Sequence, residues 1–88
     1  MNGRKKDVLI EASESMDERT GVKTVSTTSF IVWADNGNKE IIQAVEGVSA
    51  VYSGQPEKTR YHVYVDHRYD IEWVKCEVEA AILIGGGS

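Results

Sequence analysis

Followed by the spacing of its apolar side chains alone, the chain reads as four strands and two helices. Val8, Ile10 and Ala12 alternate with Leu9 and Glu11, which predicts a short strand over residues 7–12. A helix through Leu9, Ala12 and Met16 is the rival. The strand is preferred because the polar, Gly-ended SESMDERTG that follows reads as a loop closing a hairpin. Val22 to Asp35 is rich in β-branched residues, with Phe30, Ile31, Val32 and Trp33 contiguous. Apolar side chains then point both ways, as in a strand covered on both faces.

Asn36-Gly37 carries a hairpin signal, but the period beyond it is helical. Ile41, Ile42, Ala44, Val45 and Val48 follow three-and-four spacing, so Asn38 is expected to cap a helix of about nine residues that Gly47 ends. VSAVYS predicts a strand, GQPEKT a turn around Pro56, and RYHVYVDH a strand pairing back. Asp70 is placed as an N-cap with Glu72 in the first turn of a second helix. Ile71, Val74, Val78, Ala81 and Ile82 form one apolar stripe on that helix. Trp73, Cys76, Ala80 and Leu83 form another. Two stripes cover more of the helix than one side of a sheet needs, although the sheet and the first helix together have room for both; Cys76 is expected as a small core residue.

The resulting order is ββαββα, a small α+β domain over residues 1–84 with a flexible arm at 1–6 and a Gly-rich, linker-like tail at 85–88. From Thr27 onward it is the split β-α-β unit of ferredoxin-like folds without its last strand, and the N-terminal strand is free to take the vacant edge. The pattern resembles the ACT-like and dimeric ferredoxin-like domains, with GVSAVYSG as the strand after the first helix, over about sixty residues. The resemblance implies an antiparallel sheet with two helices on one face, pairing of subunits, and a small ligand in the cleft between them.

Composition narrows the function. Hydrophobic residues at 41%, charged residues at 27% and a single Pro fit a folded domain. Ten Lys and Arg against fourteen Asp and Glu give a net charge of -4, the wrong sign for neutralising nucleic-acid phosphates. Residues 61–88 hold two of the positive and five of the negative charges, so the acidity gathers at the C-terminal end. Arg4-Lys5-Lys6 is too short a basic run to reverse this. Val8-Leu9-Ile10 is too short for a signal-peptide core, and no run approaches a membrane span. With one cysteine and therefore no internal disulfide, the expected setting is cytoplasmic.

The stretch YHVYVDHRYD concentrates the chemistry. His62 and His67 are five apart and point to opposite faces of a regular strand, so they do not share a metal; neither metal nor cofactor is expected. His62, Tyr64 and Asp66 share one face at roughly 7 Å intervals, which offers an acid/base site for a small enzyme only if another strand contributes a further group. No nucleophile elbow or phosphate loop is present, and ADNGN before the first helix is a weak anion signal. The preferred reading is a non-enzymatic homodimeric module for protein interaction or small-ligand binding. Either Ile31 and Trp33 or Phe30 and Val32 must share the outward face with His62, and Val48, Ala50 and Tyr52 or their alternates join from the next strand. Trp33, Tyr52, His62, Tyr64, Arg68 and Trp73 are the expected contact residues, on the open sheet face or the last helix.

Overall fold

The computed structural model describes residues 8–54 and 59–85. Its elements are β1 (Leu9–Met16), β2 (Lys23–Trp33), α1 (Lys39–Gln43), β3 (Val48–Ser53), β4 (Arg60–Val65) and α2 (Ile71–Gly85). The four strands form one sheet in the order β1-β2-β4-β3, and every neighbouring pair is antiparallel. β2 and β3 therefore run the same way with β4 between them, and β1 lies on the far edge beside β2. The turn expected around Pro56 falls largely outside the described residues.

One side of the sheet carries the core. Phe30 and Val32 of β2, Val51 of β3, and Tyr61, Val63 and Val65 of β4 meet Ile42 of α1 and Val74, Val78 and Ile82 of α2. Each such fully buried side chain contributes about 1.5–3 kcal/mol of apolar burial. The Tyr61 hydroxyl solves a polar problem inside this layer. It donates to the Asp35 carbonyl at 2.8 Å and accepts from the Asn38 amide at 3.1 Å, fastening the loop before α1 to the centre of the sheet.

The hairpin is longer than its polarity suggests. SESM belongs to β1 and pairs with the start of β2, and the turn is confined to Asp17–Val22, where the Asp17 and Val22 backbones bond at 2.9 Å and Gly21 has a φ of 72°. Ser and Glu exposed on both faces leave no period to read, and ladder pairing decides instead. Within TVSTTS the hydroxyls do not pair across strands. The Ser26 hydroxyl accepts from the Thr28 and Ser29 amides at 3.2 and 3.1 Å and from the Ser29 hydroxyl at 3.0 Å, where the β1–β2 register breaks.

The first helix is shorter than expected, five residues rather than about nine. Asn38 makes no side-chain cap; its side-chain amide donates to the Asp35 carbonyl at 2.7 Å. Gly47, at a φ of 96°, gives its carbonyl to the Asp66 amide at 2.8 Å, and Val48 pairs with Val65. The chain must leave the helix early to reach both partners. Asp70 does cap α2, with its carboxylate accepting from the Trp73 amide at 3.0 Å.

Candidate functional site

The sheet face opposite the helices is built from strand register. Phe30 pairs with Val63 and turns into the core, so Ile31, paired with His62, turns outward together with Trp33. The pairs form three rows across the sheet: Leu9, Trp33 and Arg60; Glu11, Ile31, His62 and Tyr52; Ser29, Tyr64 and Ala50. Val48 departs from the expected set. The β3–β4 register shifts between Val48 and Ala50, which returns Val48 to the core side opposite Val65 while Ala50 and Tyr52 stay on the open face.

Side chains on this face are already in contact. The His62 and Tyr64 rings stack with centroids 4.6 Å apart and planes 20° apart, and Tyr52 meets Tyr64 edge-on at 5.6 Å. Such pairs are worth about 0.5–1.5 kcal/mol each beyond their burial. The Arg60 guanidinium lies 5.9 Å from the Trp33 ring centre, and the Trp33 indole N–H donates to Glu11 Oε1 at 3.0 Å. Ile31, in the middle of the second row, is only 6% exposed although both described helices pack on the other side of the sheet. Tyr52, at the rim, is 60% exposed.

The surroundings of His62 disfavour its charged form. Its Nε2 is occluded and has no hydrogen-bond partner among the described residues. Burial first, and the Arg60 charge second, lower its pKa from 6.5. Protonation would place an unpaired N–H inside the face. Among the described residues no carboxylate orients the ring: the Glu11 carboxylate is engaged by Trp33 and the Asp66 carboxylate by Arg68.

Asp66 lies past the end of β4 and does not continue the row. Its carboxylate accepts from the Arg68 amide at 2.9 Å and from the Arg68 guanidinium twice at 3.1 Å. These bonds bring its pKa down to about 2. Arg68 therefore sits in the β4–α2 turn as the partner of Asp66, away from the aromatic rows. Trp73 lies on the helical side, stacked on Tyr69 with centroids 5.9 Å apart.

Trp33, Tyr52, His62 and Tyr64 thus share one surface, while Arg68 and Trp73 occupy two others. Cys76 is exposed on α2 and is not a core residue, because Val74, Val78 and Ile82 already fill the side that meets the sheet. Arg60 joins the face by strand parity with His62 and Tyr64, a signal present in the sequence. Leu9 and Glu11 needed the β1–β2 register. Among the described residues no three His, Cys, Asp or Glu side chains gather to hold a metal ion, and no helix is long and apolar enough to cross a membrane. The weak anion signal before α1 meets a helix of only five residues, whose Asn38 amide is already bonded to Tyr61.

Comparison of the chain with protein-family models, with curated proteins and with solved structures gives no match.

Proposed function

We propose that this chain is a small non-enzymatic binding module of ferredoxin-like architecture that forms a homodimer through its open sheet face. The observation that carries the reading is the row Glu11, Ile31, His62, Tyr52 with Trp33 and Tyr64 beside it, an aromatic and apolar surface on the side of the sheet away from both helices. Aromatics and Arg are the residues that interface centres favour, and a contiguous patch of this kind on a small domain marks a contact surface. A domain of 88 residues buries only about 60–65% of its unfolded surface, so a second sheet packed on the first adds burial it lacks.

The charges on the face favour a like partner. Glu11 and Arg60 balance, so two copies meet without net repulsion on a surface otherwise apolar and aromatic. Nucleic acid is disfavoured on the same grounds. Stacking rings are present, but Arg60 is the one cation in the three rows and the whole chain carries -4. An acid/base site on His62, Tyr64 and Asp66 loses its carboxylate to Arg68. A small ligand in the cleft between paired sheets, and a reducing cytoplasmic setting for the single cysteine, complete the proposal; the first rests on the fold resemblance and the second on cysteine usage.

Charge on the rim tests it. Tyr52 and Tyr64 are exposed, so Tyr52→Lys together with Tyr64→Lys leaves the core untouched. The pair is expected to weaken self-association by a factor of about 100 or more in analytical gel filtration, as truncating or charging hot-spot aromatics does. A variant that elutes like the unaltered chain at every concentration contradicts the proposal.

A further inference from the structure

The second apolar stripe of α2 stays uncovered. Trp73, Cys76, Ala80 and Leu83 follow three-four-three spacing along the side of the helix away from Val74, Val78 and Ile82. Trp73 is 43%, Leu83 46% and Ile84 80% exposed. The stripe runs into a groove of about 340 Å³ between the two helices, with Ile41 and Val45 on the α1 side, Ala81 and Ile84 on the α2 side, and Glu46 and Glu77 also in its lining; the Glu46 carboxylate accepts from the Tyr69 hydroxyl at 2.9 Å. The groove is lined on one side by Ile41 of the five-residue α1 and by Ala44, Val45 and Glu46 just beyond it.

Charge selects what fits there. On α2 itself Glu72, Glu77 and Glu79 flank the stripe against one cation, Lys75, whose ammonium is already bonded to Glu72 at 3.1 Å. A second copy presenting the same helix would set these carboxylates against their equals, and an anionic membrane surface would repel them. A helix with an apolar face and flanking Lys or Arg satisfies both the seam and its acidic borders.

We propose that the α1–α2 side of this domain is a docking groove for a basic amphipathic helix of a partner protein. Two or three apolar anchors one turn apart seat along Trp73, Ala80, Leu83 and Ile84, and basic side chains meet Glu46, Glu77 and Glu79. This surface is separate from the open sheet face, so the inference stands independently of the homodimer.

The test is calorimetric titration of the intact chain at low ionic strength with a synthetic amphipathic peptide of about 18 residues, Leu at three-and-four spacing flanked by Lys. The same peptide with Glu in place of Lys is the control. The Lys peptide is expected to bind and to weaken with added salt, and the Glu peptide to give no heat. Leu83→Asp with Ile84→Asp, both exposed positions, is expected to weaken the Lys peptide by about tenfold or more. Glu77→Lys, a surface charge reversal that leaves every apolar contact in place, is expected to weaken it several-fold. The proposal is overturned by absence of binding, by equal binding of both peptides, or by indifference to all these substitutions. It is overturned equally if Leu83→Asp with Ile84→Asp dissociates a homodimer, which would make a second copy the occupant, or abolishes adsorption to phosphatidylglycerol vesicles, which would make it a membrane.

Discussion

Gly47 sits where two demands coincide. Its φ of 96° is a conformation that side chains resist, and a Cβ there would lie 2.9 Å from Val74 Cγ2 and 3.0 Å from the Tyr69 ring. Gly37 has the same φ with nothing within 4 Å. Gly37→Ala is therefore expected to cost only the backbone penalty, about 1 kcal/mol, and Gly47→Ala at least about 2 kcal/mol, since Val74 and Tyr69 must also give way. Urea unfolding of both variants checks the difference. Equal losses would mean that the close approach of Gly47 to α2 carries no weight. At His62 the sign of the pH dependence follows from the lowered pKa. Between 6.5 and the lower folded-state value the unfolded chain binds more protons than the folded one. Stability is then fully present above 6.5 and falls as the pH is lowered through that window. His62→Gln is expected to remove this part of the slope in urea midpoints measured from pH 7.5 down to about pH 5. A variant that keeps the whole slope would assign it to other groups. In the sequence, the parity of β4 was legible because Val63 and Val65 mark its core side. The occluded Nε2 was not, since it depends on which residues from neighbouring strands close over the ring.

Element by element, legibility tracks how one-sided the pattern is. β3 appears over the residues its sequence predicts, bounded by Gly47 and Gly54. β2 was legible as a strand but not in its facing, because Phe30 to Trp33 are apolar on both sides and only the pairing of Phe30 with Val63 decides between them. β1 runs on to Met16, past the end its apolar alternation predicts, because beyond Ile10 and Ala12 its polar residues are held by ladder pairing with β2. α1 ends sooner than its spacing predicts. Its three-and-four spacing persists through Val45 and Val48, but the tie between Gly47 and Asp66 and the pairing of Val48 with Val65 end it first. α2 was legible in both start and inner face, and its cap makes a prediction. Asp70→Ala is expected to destabilise the domain by about 1 kcal/mol and Asp70→Asn by less, since Asn caps as well as Asp. Thermal unfolding distinguishes them, and equal losses for the two would assign the effect to charge rather than to the hydrogen bond with Trp73. What sequence could not supply for α2 was the fate of its second stripe, whose apolar spacing is as regular as that of the buried one although Trp73 and Leu83 stay exposed.

At the scale of the whole molecule, one sheet separates two surfaces of different character. The open face is aromatic and balanced in charge; the helical side carries an apolar seam bordered by carboxylates. The small α+β architecture was legible from the order of elements, and the placing of β1 beside β2 followed once the N-terminal strand and its hairpin were recognised. The division of Trp33, Tyr52, His62 and Tyr64 from Arg68 and Trp73 was not, since residues gathered by chemistry in a sequence need not share a surface. If two copies pair through their open faces, both helical sides point outward and a dimer offers two docking grooves, which raises the avidity of any partner long enough to span them. The reading of the open face depends on self-association. The direct measurement is the mass of the purified chain by light scattering over a dilution series. A mass of twice 9.8 kDa is expected, persisting on dilution to about 1 µM and reverting to 9.8 kDa for the Tyr52→Lys, Tyr64→Lys variant. A mass of 9.8 kDa for the unaltered chain at every concentration would contradict it.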